Sequence, residues 1–107
     1  MYRFSHERLQ AYQVALEAAR AVRAMSWPRG DGPLGDQARR ASSSAVLNIA
    51  EGAMRSGKAR RNHFQIAIGS AAEACAVLDL VAQPGGDQVQ DQLRRVGIML
   101  ERLGAAG

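Results

Sequence analysis

"QARRASSSAVLNIAEGAMR", residues 37–55, decides how this chain folds. With about 100° between successive residues of an α-helix, Leu34, Ala38, Ala41, Ala45, Asn48, Ile49 and Gly52 fall on one stripe, mostly small residues that let another helix come close. Leu47, Ala50 and Met54 fall on the opposite side. A helix apolar on two faces needs two neighbours to cover it. The reading is a helix over about 34–55 that packs on both sides yet carries arginines, serines, an asparagine and a glutamate.

Working towards the N-terminus, "SWPRGDGPLG" (26–35) holds two prolines and three glycines and reads as a turn-rich connection, with Trp27 expected to fold back over a bundle end. Before it, Leu9, Tyr12, Leu16 and Ala19 share one face of a helix expected over about 6–25, with Ser5 as its cap. In the other direction Ser56 is expected to cap a helix over 57–82. Its first stripe is Phe64, Ala67, Ile68, Ala71, Cys75, Leu78 and Ala82, and its second is Ile66, Val77 and Leu80 with Glu73 among them. "QPGGD" (83–87) ends that helix, after which Val89, Leu93, Val96, Leu100 and Leu103 form one heptad seam over 87–103.

Four helices with short connections in 107 residues describe an all-α chain, a single up-down-up-down four-helix bundle domain over 1–107. Composition agrees, since 47% of residues are hydrophobic but only five are aromatic and alanine dominates. One bundle has one central seam, which accounts for the first and fourth helices. The second stripes of the middle helices would leave Leu47, Met54, Ile66, Val77 and Leu80 on the surface, so self-association follows as an expectation.

Glu73 falls within that expected interface and requires a cation there, because an unpaired member of a buried ion pair costs about 3–5 kcal/mol. Arg39 and Arg40, at the edges of the second face of the 34–55 helix, are the donors at hand, and their forked guanidinium suits a carboxylate. Glu51 and Arg55 are spaced to pair along one helix, and Asn48 must find partners near the inner stripe. The expected role of this polar set is to fix packing and register. A paired-carboxylate active site from Glu51 and Glu73 is the sharper alternative, but no histidine or nucleophile stands at a predictable distance.

The net charge of +4 and a pI near 10.2 make polyanions plausible partners. Cys75 is the one cysteine, which excludes an intrachain disulfide and a thiolate metal cluster and points to a reducing cytoplasm. No apolar run is long enough for a membrane span, and no secretion signal is evident. "GAMRSGKA" (52–59) matches the glycine and lysine spacing of a phosphate-binding loop, yet Ala59 lacks the hydroxyl for magnesium and the segment follows a helix where that motif needs a strand. His6 and His63 have no ligand-spaced companions, so neither metal nor other cofactor is expected. In "RSGKARRNH" (55–63), Arg55, Lys58, Arg60 and Arg61 gather where a helix start also favours anions, which makes them the candidate phosphate contacts.

"LGDQARRASSSAVLNIAEGAMRSG" followed by "HFQIAIGSAAEA" resembles the bacterial four-helix-bundle proteins first noted as products of ribosomal-RNA intervening sequences, a family that includes accessory variability determinant proteins of diversity-generating retroelements. The resemblance implies a homopentameric barrel of four-helix protomers. It carries over Arg39, Arg40, Asn48, Glu51, Gly52, Gly69, Ser70 and Glu73 as signature positions with a structural role. It also implies, for retroelement members, binding to a reverse transcriptase and to nucleic acid. The expected function is therefore a non-enzymatic, cytoplasmic, oligomeric scaffold that contacts RNA or DNA through Arg55, Lys58, Arg60 and Arg61. The alternative is an accessory subunit whose partner is a protein such as a reverse transcriptase.

Overall fold

A computed structural model describes residues 1–106. After a 3-10 turn at Ser5–Arg8 come four helices, α1 Gln10–Ala24, α2 Gly32–Ala53, α3 Gly57–Leu80 and α4 Gly86–Ala106, and there is no strand among the described residues. Each helix touches its chain neighbours and α1 also meets α4, with α2 and α3 the most extensive pair. The architecture is four-helical and all-α, as the periodicity requires.

The helix ends differ from the expected ones for local reasons. Ser5 opens the 3-10 turn rather than capping a helix, because the Phe4 N–H donates to Glu7 Oε2 at 2.6 Å and Gln13 Nε2 donates to the Glu7 carbonyl at 2.9 Å. His6 lies against Tyr12, ring centroids 4.6 Å apart, and this holds the segment on α1. At the start of α2, Pro33 occupies the first turn, where its missing N–H costs nothing, so the helix begins at Gly32 rather than Leu34. Trp27 does fold back: it is half-buried against the core, and a Cβ on Gly35 would come within 2.6 Å of its ring. α3 stops at Leu80, because Val81 turns extended, and Ala82 is exposed rather than on the inner stripe.

The core is built of small residues with a few large ones between them. Ala18, Val22, Ala38, Ala41, Val77 and Leu93 belong to one cluster, and Ala11, Ala15, Ile49, Phe64, Val96 and Leu100 to the other. Val77 corrects the expectation that placed it on the outer face, since it is only 3% exposed. The buried side of α3 is wide because α2 flanks it on one side and α4 on the other. Val77 lies with Ala38 and Ala41, whose short side chains leave room for it. The other expected outer residues are outside: Leu47 is 67% exposed, Met54 55%, Ile66 43% and Leu80 72%.

Candidate interaction surface

The polar residues of α2 and α3 form a ladder along the line where the two antiparallel helices meet. Gln37 Nε2 donates to Glu73 Oε2 at 3.2 Å, the Ser44 and Ser70 hydroxyls are 2.9 Å apart, and Asn48 Oδ1 lies 3.0 Å from His63 Nδ1. Asn48 Nδ2 is spent on the Ser44 carbonyl at 3.0 Å and its hydroxyl at 3.2 Å. The oxygen of Asn48 can only accept, so His63 Nδ1 donates to it. Asn48 thus finds the partners its position demands. His63, which by sequence alone reads as a surface residue, is half-buried and holds the register of the hairpin.

The ladder also shows what the individual signature residues do. Within the chain Glu73 is exposed and takes Gln37 as its partner. Arg39 pairs with Asp36 at 2.9 Å, and Arg40 is exposed with no ion pair among the described residues. Glu51 and Arg55 pair at 3.2 Å with both side chains about half exposed, an arrangement worth less than about 1 kcal/mol. Because Glu73 stands beside Gln37, fourteen residues from Glu51 along α2, the two carboxylates are about 20 Å apart at 1.5 Å per residue. They form no acid–base pair. Gly52 has no room for a side chain, since a Cβ there would fall 2.6 Å from the Phe64 ring; at Gly69 a Cβ would meet nothing within 4 Å.

The turn from α2 to α3 gathers the four basic candidates but leaves them unequal. Gly57 adopts φ +56°, which sends the chain from one helix straight into the next. Ser56 stands at the cap position without a side-chain cap bond. Arg55 is held by Glu51, and the Arg60 guanidinium lies 5.1 Å from the Phe64 ring centroid. Lys58 and Arg61 remain exposed and line, with Asn62 and Gln65, a shallow open depression at the start of α3. The "GAMRSGKA" segment spans a helix end and a helix start, with no strand before it. No group of three or more His, Cys, Asp or Glu among the described residues is placed to hold a metal ion.

Residues 7–85 match the model of one protein family, described as the 23S rRNA-intervening sequence protein. The chain belongs to that family. The match runs from the 3-10 turn through α1, α2 and α3 to the turn before α4, so the whole α2–α3 ladder of this 23S rRNA-intervening sequence family member lies inside it. α4 lies beyond it and closes the core through Val89, Leu93, Val96 and Leu100. No curated protein matches the chain. No helix among the described residues is long and apolar enough to cross a membrane.

Reading along the chain missed Gln37 and His63 as ladder members. A signal was present, since folding two antiparallel helices about residues 55–56 brings position 48 near 63 and position 37 near 73. It also missed Gln90, which is buried and ties α4 to α3 through the Cys75 carbonyl at 3.0 Å and Asp79 Oδ1 at 2.8 Å.

Proposed function

We propose that the chain is a non-enzymatic scaffold that assembles with copies of itself, as the homopentamer the family resemblance implies, and that it touches nucleic-acid phosphates through the α2–α3 turn. The observation that carries this reading is the exposed apolar face of the two middle helices. Leu47, Met54 and Ile66 stand in water on helices whose inner sides are already buried, and covering each fully would contribute about 1.5–3 kcal/mol. Gly69, on the outer side of α3 between Ile66 and Glu73, costs roughly 1 kcal/mol in a helix interior, and nothing in one chain packs against it. A second copy approaching closely gives it a use. Sedimentation velocity at micromolar concentration tests the assembly: the wild type should run as an oligomer and Leu47→Asp as single chains with the same helix content. A wild type that runs as single chains ends this reading.

The nucleic-acid clause has a separate test in salt. If Lys58 and Arg61 alone meet phosphates of a DNA duplex, affinity should fall about tenfold between 50 and 200 mM salt; if Arg55 and Arg60 leave their partners to join them, it should fall about 100-fold. Undetectable or salt-insensitive binding removes the clause. The engagement of Arg55 by Glu51 and of Arg60 by Phe64 favours the second reading, an accessory subunit whose partner is a protein such as a reverse transcriptase. Capture of such a partner that survives nuclease treatment supports it.

A further inference from the structure

The aromatic residues of this chain are gathered rather than scattered. There are five, and three of them, Tyr2, Phe4 and Tyr12, stand in one file with His6. The Tyr2 ring meets the Phe4 ring edge-on with centroids 5.1 Å apart, Phe4 lies nearly parallel to His6 at 6.0 Å, and His6 meets Tyr12 at 4.6 Å. Tyr12 anchors the file on α1. Its outer members cover no core, since Tyr2 is 76% exposed and Phe4 51%. The segment that carries them is nonetheless fixed, because the Glu7 carboxylate accepts the Phe4 N–H and the Glu7 carbonyl accepts from Gln13. Rings held in place in this way lose little freedom when something stacks on them.

Cations surround the file. Arg3 stands between Tyr2 and Phe4 in the chain and Arg8 follows His6; both are exposed, and neither has an ion pair among the described residues. Glu7, the one acid of the segment, is half-buried and already bonded to the Phe4 N–H. Phe4 and His6 also form one wall of an open cleft of about 440 Å³, with Glu51 and Met54 from the last turns of α2 across from them. Glu51 holds Arg55 at 3.2 Å, so the cleft opens beside the first residue of the basic α2–α3 turn. The exposed rings therefore lead into the cations Arg55, Lys58 and Arg61.

That combination selects among ligands. Bases inside a duplex are stacked on one another, whereas an unpaired base offers its faces to aromatic side chains while its phosphates follow a cationic track. An acidic peptide would answer the arginines alone. A second copy meeting this face with its own would set cation against cation. We infer that the Tyr2–Phe4–His6 file is a stacking platform for unpaired nucleotides, carrying the bases of a strand whose phosphates lie on the α2–α3 turn. The inference rests on the nucleic-acid clause proposed above and specifies that the ligand is single-stranded.

Fluorescence anisotropy with one labelled mixed-sequence oligonucleotide, offered as single-stranded RNA, as single-stranded DNA and as a DNA duplex, tests the platform. The wild type should bind both single strands alike, because the rings read base faces and not the sugar, and at least about tenfold more tightly than the duplex. Tyr2→Ala/Phe4→Ala should weaken single-strand binding at least about 25-fold, roughly fivefold or more for each ring, and leave duplex affinity and salt dependence as they were. Phe4→Leu keeps apolar bulk without a π-face and should lose about as much as Phe4→Ala, while Phe4→Tyr should bind like the wild type. Helix content in circular dichroism should be the same in all of them. Equal affinity for strand and duplex, or ring variants that bind the strand as the wild type does, would overturn the inference and leave the phosphate contacts of the turn standing. Ring variants that lose self-association but keep the oligonucleotide would overturn it as well, in favour of a second copy on the rings. A wild type that binds neither form removes the nucleic-acid clause itself, so the two failures are distinguishable.

Discussion

Replacing Phe64 with alanine should lower the unfolding free energy by about 3–5 kcal/mol, the loss expected when a buried aromatic ring is deleted and its space stays empty. Phe64 is 1% exposed and is the largest fully buried side chain in the molecule. Its cluster includes Ala11, Ala15 and Ala67, methyl groups that cannot extend into the vacated volume, and the backbones behind them are fixed by four packed helices. The Arg60 guanidinium would lose its ring at the same time. Urea unfolding followed by circular dichroism measures the change. Since a chain of this size has only about 5–15 kcal/mol of stability, the variant should be close to unfolded at moderate temperature. A loss below about 1 kcal/mol would mean that the hairpin repacks around the gap and that the core is not organised around this ring.

Gly52→Val should cost about 3 kcal/mol for the opposite reason, too much volume at the same place. An added Cβ would sit 2.6 and 2.7 Å from two carbons of the Phe64 ring and 3.1 Å from His63 Cβ. Ordinarily removing a helix-interior glycine helps by up to about 1 kcal/mol, so a net loss isolates the steric term. The clash is with a ring hemmed in on every side, and the branched valine has few rotamers with which to avoid it. Combining Gly52→Val with Phe64→Ala should cost at least about 1 kcal/mol less than the sum of the two, because the valine methyls enter the space the ring leaves. Strict additivity in that cycle would contradict the close approach of α2 and α3 at this level.

These expectations depend on a fold that was largely legible in the residues. The repeat of small apolar positions from Leu34 to Gly52, the long stripe of α3 and the heptad seam from Val89 to Leu100 each specify a helix and the side it buries. Proline and glycine between them mark the breaks. Where the reading failed, a contact distant in sequence had intervened. Val77 looked like an outer residue by helix angle, but the side of α3 it occupies is covered by α2, and only the lateral placement of the two helices reveals how wide the buried arc is. Ser5 looked like a cap, but the Glu7 carboxylate and the packing of His6 on Tyr12 claimed the segment first.

The polar residues show the same division more sharply. That Asn48 needs partners, that Glu51 reaches Arg55 and that Leu47 and Ile66 stand apart from the core could be stated from spacing, because each concerns one helix and its own period. That His63 supplies the hydrogen for Asn48 and that Gln37 rather than an arginine holds Glu73 in the lone chain could not. Periodicity fixes which face a residue is on, since it depends only on turns of one backbone. The height and pairing of two helices depend on how their side chains interlock, and that is set when alanine, glycine and Phe64 settle into a common core.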